Sequence, residues 1–161
     1  MRFLCDEMLK GFARWLRAAG HDTRVAPDGI SDRELIALAR EEARWLLTCD
    51  RKLLEHRNAQ ALVRLLDGSG VEEAARSLAR CLPVDWLQAP FSRCMECNTE
   101  LQPRNPPPKE QLPDTVVQRK LPVRHCTECG RWYWEGSHTA RILHRLERWQ
   151  AMQTGTDSGI L

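Results

Sequence analysis

Apolar and polar positions along the chain follow two different periods. Arg2-Phe3-Leu4-Cys5 is a short apolar run that ends at Asp6-Glu7 and reads as a buried strand. The period then lengthens: Met8, Leu9, Phe12, Trp15 and Leu16 form one face of a helix, with Gly20 as its stop. Thr23-Arg24-Val25-Ala26 predicts a second strand, closed by Pro27-Asp28-Gly29. Ser31 and Glu34 have the spacing of a capping box, and Leu35, Leu38 and Ala39 carry the apolar face of the helix it opens. Arg44 to Thr48 is a third strand ending at Asp50, and Ala61 to Leu66 a fourth ending at Asp67-Gly68. Val71 to Leu82 reads as a helix stopped by Pro83.

Strands that alternate with helices over short connections imply right-handed crossovers and a parallel sheet covered on both faces, an α/β fold. Beyond residue 88 the pattern changes. Gln102 to Thr115 holds five of the nine prolines, which excludes helix or central strand there. Helical spacing returns from His138 to Met152. The expected organisation is an α/β domain over residues 1–88, a small module with a C-terminal helix over 89–150, and a flexible tail over 151–161.

Composition narrows the class without naming a partner. The chain has 161 residues, enough for one domain with a small appended module. Its net charge of +2 is too small to argue for nucleic acid, so any basic surface must come from local clustering. No apolar run reaches the roughly 18 residues that span a bilayer, and Asp6 comes too early for a signal peptide, so no membrane association is expected. Seven cysteines, four of them in two CxxC pairs, suit metal binding in a reducing compartment better than a disulfide framework, and the expected location is cytoplasmic.

The two pairs are Cys94-Met95-Glu96-Cys97 and Cys126-Thr127-Glu128-Cys129, separated by 28 residues. Each CxxC turn brings two thiolates to one side of a knuckle, and two knuckles complete a tetrahedral four-sulfur site for structural zinc. Asn98 and Gly130 follow the second cysteine of each pair, where a residue tolerant of positive φ is needed. Cys5, Cys49 and Cys81 lie on strand or helix positions and read as buried apolar residues.

A second candidate centre is acidic. Asp6 and Asp50 each follow the C-terminal end of a predicted strand, the edge at which open parallel sheets bind ligands. Asp32 begins a helix expected to return to that edge. Three carboxylates gathered there repel one another unless a divalent cation such as Mg2+ or Mn2+ is bound, and such ions promote phosphodiester hydrolysis. Each residue also has a plainer reading: Asp6 and Asp50 as helix caps, Asp32 as a partner of the helix dipole. Asp67 shares the strand-end position, although Asp-Gly is an ordinary turn.

In order along the chain, these segments resemble the Mut-seven C-terminal RNase family. The matching stretches are Asp6 to Arg17, Gly20 to Thr23, Ser31 to Leu35, Leu46 to Asp50, Phe91 to Asn98 and Cys126 to His138, spanning roughly residues 2–148. The resemblance implies a PIN-like three-layer domain with a zinc ribbon attached. It also implies Asp6, Asp32 and Asp50 as the catalytic acidic positions and RNA cleavage as the activity; with Mg2+ or Mn2+ on those carboxylates, the expected products carry a 5′-phosphate and a 3′-hydroxyl. Cys49 departs from the family pattern, which favours a basic residue there.

RNA is therefore the expected partner. Lys10, Arg14 and Arg17 form a basic stripe on the helix that starts at the acidic centre, the expected RNA-binding face. Arg141, Arg145 and Arg148 repeat that spacing near the C-terminus. Trp132, Tyr133 and Trp134, beside Arg131, have the character of a base-stacking platform or, alternatively, of packing against the zinc module. Two other readings stay open: a non-catalytic RNA-binding module with a vestigial acidic cluster, and a nuclease controlled by a regulatory protein partner.

Overall fold

The structure is a computed structural model that describes residues 1–57, 59–104 and 110–156. Its first half is built from β1 (Arg2–Cys5), α1 (Lys10–Ala18), β2 (Asp22–Val25), α2 (Asp32–Glu41), β3 (Trp45–Thr48), β4 (Val63–Leu65) and α3 (Val71–Cys81). The four strands pair in the order β2-β1-β3-β4, all parallel, with Cys5 beside both Val25 and Leu47.

Alternation along the strands separates two apolar layers. Phe3, Cys5 and Leu47 pack with Phe12, Leu16 and Leu78 from α1 and α3. Leu4, Leu46 and Val63 face the other way, onto Leu35, Ile36 and Ala39 of α2. The predicted three-layer α/β architecture is present. The capping box is present as well: Glu34 N–H donates to Ser31 Oγ, and Ser31 N–H donates to the Glu34 carboxylate at 3.0 Å.

One expected core residue is displaced. Met8 is 74% exposed rather than part of the α1 face. Residues Glu7–Leu9 form a 3-10 turn before α1 begins, and its tighter winding takes Met8 out of the helical register.

The second half contains β5 (Gln102–Arg104), α4 (Asp114–Gln118), β6 (Val123–His125), β7 (Trp132–Trp134) and α5 (Ser137–Thr156). β5, β6 and β7 make an antiparallel sheet with β6 in the centre, so Pro103 sits on an edge strand, where a missing N–H is tolerated. α4 starts directly after Pro113. Three of the six prolines between the cysteine pairs fall in 105–109, outside the described residues.

α5 begins against the ribbon, where Thr139 bonds the Trp134 carbonyl, and then runs onto the first half of the chain. Ile142, Leu146 and Trp149 are buried in the same core as Phe3, Phe12 and Trp86. Trp149 meets Trp86 and Trp15 with ring centroids 4.9 and 5.2 Å apart, and its Nε1 donates to Glu72 of α3 at 2.7 Å. The ribbon is thus inserted between the α/β domain and that domain's last helix. α5 also runs on to Thr156 across the first part of the expected tail; residues 157–161 lie outside the described residues. Among the described residues no helix is long and apolar enough to cross a membrane.

Candidate functional site

Chain order places a reversal between β1 and β3. From β1 the chain moves outward to β2, then returns to the other side of β1 as β3. Asp6 and Asp50 stand at the C-terminal ends of β1 and β3, the edge at which open parallel sheets bind ligands.

Thr48, the last residue of β3, joins them. Its buried hydroxyl donates to Asp6 Oδ2 and accepts from the Asp50 backbone N–H at 3.0 Å. The Asp6 N–H donates to the Leu47 carbonyl, fixing the start of the loop against β3. Both carboxylates also cap the turn that follows: Asp6 Oδ1 accepts from Met8 N–H at 2.7 Å, and Asp50 Oδ1 from Lys52 N–H at 2.9 Å. The capping reading is thus realised in the geometry. It leaves the second Asp50 oxygen without a hydrogen-bond partner among the described residues. A hard divalent ion that binds through one or two carboxylates and keeps several waters fits such a donor set.

Asp32 shares none of these hydrogen bonds. It opens α2, which follows the outer strand β2 and packs on the opposite face of the sheet from α1. Its carboxylate is half-exposed and lies 3.7 Å from His56 Nε2. Among the described residues no trio of carboxylates comes as close together as the cysteine sulfurs do. Asp67, past the end of β4, does share the neighbourhood of Asp6 through Cys49. Burial pushes the Cys49 thiol up, and the negative charges of Asp6 and Asp67 push it the same way, so it stays a neutral thiol at this edge.

The cysteine centre forms as the spacing predicts. All four sulfurs lie within 4.8 Å of one another, with Cys94–Cys129 at 3.5 Å and Cys97–Cys126 at 3.3 Å. A tetrahedral zinc with Zn–S bonds of about 2.3 Å needs sulfur separations of roughly 3.8 Å, so the cluster can hold this ion. Asn98 and Gly130 take φ of 69° and 71°. Cys94 N–H and Cys126 N–H close the two knuckles by donating to Thr99 and Arg131 carbonyls. Tyr133 supports the first knuckle, its hydroxyl accepting from Met95 N–H at 3.0 Å and lying 3.2 Å from Cys94 Sγ.

The basic stripe divides by role. Lys10 is exposed. Arg14 is exposed and pairs with Glu96 at 2.5 Å. Arg17 is buried and donates to the carbonyls of Thr23, Met95 and Glu96, tying α1 and β2 to the first knuckle. Arg145 and Arg148 both pair with Glu72, which binds α5 to α3.

Two residues that local pattern did not single out for these roles are Thr48 and Asn98. Thr48 is visible only as a hydroxyl on a strand otherwise made of Trp and Leu. Asn98 does more than turn the knuckle: its side-chain oxygen accepts from Thr23 N–H at 2.9 Å and its amide donates to Asp22 at 2.7 Å. Burial opposes the Asp22 charge, but hydrogen bonds from Arg44 and Asn98 outweigh it and hold this carboxyl well below the usual carboxylate range.

Residues 1–146 match the Mut7-C RNAse domain family. The chain is also similar to the human protein named exonuclease mut-7 homolog, with 32% identity over 103 residues. That alignment covers 62% of this chain and 12% of the human protein, so the chain spans only a small part of that relative's length. No solved structure matches the chain.

Proposed function

The chain belongs to the Mut7-C RNAse domain family, and on that premise we propose that it is a metal-dependent ribonuclease acting at the edge formed by Asp6 and Asp50. The observation that carries this reading is the Thr48 hydroxyl that joins the Asp6 carboxylate to the Asp50 backbone N–H at the point where strand order reverses.

Asp6 and Asp50 would hold Mg2+ or Mn2+. A divalent ion bound there supplies Lewis acidity to a phosphodiester oxygen and to water. Thr48 holds the Asp6 carboxylate against the Asp50 backbone, and the caps at Met8 and Lys52 fix the rotamers of both aspartates. Lys10 and Arg14 line the approach along α1 with positive charge for the RNA backbone. Asp32 belongs to the reading as an outer carboxylate, whose removal weakens cleavage without abolishing it. The cysteine cluster holds structural zinc, and the ribbon contributes RNA-binding surface.

A second reading has one observation in its favour: both aspartates serve as caps, which gives them structural work without any ion. On that reading the chain binds RNA and cuts none. Cleavage of a labelled RNA pool by zinc-loaded protein, with Mn2+ or Mg2+ added and then omitted, separates the two. The nuclease reading expects cleavage only with the added ion. RNA binding with no cleavage under either ion favours the second.

A further inference from the structure

A groove of about 490 Å³ runs between the ribbon and the start of α5. From its position and chemistry we infer that it is a subsite for one unpaired nucleotide of a single-stranded RNA. The inference rests on the nuclease-family reading above and names the form of RNA that reading would engage.

The aromatic lining is already fixed in place. Trp132 donates from Nε1 to Gln111 at 2.9 Å and lies against His125 with ring centroids 4.4 Å apart. Trp134, on the same face of β7, packs against the small cluster of Leu112, Val116 and Val123. Both indoles remain only half-buried. Rings held in place and still partly exposed suit base stacking, because little side-chain freedom is left to lose on binding.

The rim is cationic. Arg131 is exposed and carries no ion pair among the described residues, and His138 adds an exposed imidazole to the same rim. The single acidic side chain of the lining, Glu96, is matched by Arg14. The groove therefore presents aromatic faces with uncompensated positive charge, which complements a base and its phosphate. The cavity size falls in the roughly 300–1,000 Å³ range of small-molecule sites.

Position links it to the acidic edge. Arg14 lies on α1 one turn beyond Lys10, about 6 Å along the axis, and α1 itself starts just after Asp6. A strand seated in the groove would pass Arg14 and Lys10 on its way to Asp6.

The test uses full-length, zinc-loaded protein without added Mg2+ or Mn2+, so that binding is read without cleavage. The probe is a fluorescent ten-nucleotide single-stranded RNA and a set carrying one abasic position each. One or two abasic positions are expected to weaken binding roughly five-fold or more, the value of one lost stack. Trp132→Leu should weaken binding of the intact RNA and erase the abasic effect, which a merely misfolded variant would not do selectively. Arg131→Ala, at an exposed site, should weaken binding of every RNA in the set alike. Indifference to all abasic positions, or unchanged binding by Arg131→Ala, would overturn the subsite while leaving the nuclease reading intact. Absence of any RNA binding by the wild-type protein would overturn both.

Discussion

The hydroxyl of Thr48 donates to the carboxylate of Asp6 from a fully buried position, at the point where β1 and β3 end side by side. The same oxygen accepts from Asp50 N–H, so one side chain sets the spacing of both aspartates. Thr48→Val keeps the shape and removes the donor and acceptor. It should cost about 1–3 kcal/mol of stability through the unmet buried groups, and lower RNA cleavage at least several-fold. Thr48→Ser should recover most of both. Denaturant unfolding beside a cleavage assay checks this; full activity in Thr48→Val would show that the bridge does not position the pair.

His21 should make the protein acid-sensitive. It is fully buried, and burial together with the nearby N-terminal ammonium lowers its pKa to about 4, while Nε2 faces the Asp85 carbonyl at 2.9 Å. The folded pKa lies below the unfolded value of 6.5, so the unfolded chain takes up the proton first. The associated stability is complete above about pH 6.5 and is lost as pH falls towards 4, amounting to roughly 3 kcal/mol. NMR titration of the imidazole should give a midpoint near 4. A midpoint near 6.5 would contradict the buried neutral ring.

Zinc removal should loosen more than the ribbon. Arg17 and Asn98 join the first knuckle to α1 and β2, and Ala89 and Phe91 N–H groups donate to carbonyls at the end of α1. Chelation, or Cys126→Ser, is therefore expected to lower the thermal midpoint of the whole protein and abolish binding of one zinc per chain. A main transition that ignores zinc would mean the two parts fold separately.

Trp149 tests the place of α5. Trp149→Ala removes a fully buried indole from the centre of the Trp86–Phe12–Trp15 cluster and should cost about 3–5 kcal/mol. A loss under 1 kcal/mol would place α5 outside the core.

Much of this fold is written in local pattern. The four strands, the Ser31–Glu34 box and the positive φ of Asn98 and Gly130 all follow from residues a few positions apart. The four-cysteine centre follows from two spacings. What local pattern hides is set by tertiary packing. Arg17 shares a helical stripe with Lys10 and Arg14, yet it is buried because the ribbon folds back over the end of α1 and offers it two carbonyls, of Met95 and Glu96, beside that of Thr23 in β2. Asp32 opens a helix at the expected edge but on the outer side of the sheet, because β2 rather than β1 precedes it. Met8 has helical spacing but falls in a 3-10 turn set by the Asp6 cap. α5 carries an apolar line whose partners, from Phe12 and Trp15 to Trp86, lie far earlier in sequence.

The most direct test of the central claim is cleavage of a labelled RNA pool in Mn2+ by wild-type and Asp6→Asn protein, with folding of both checked by their thermal midpoints. The acidic-edge reading predicts cleavage by the wild type and a loss of at least a hundred-fold, about 2.7 kcal/mol of barrier, in the folded variant. Equal cleavage by both proteins would contradict it and place the chemistry elsewhere.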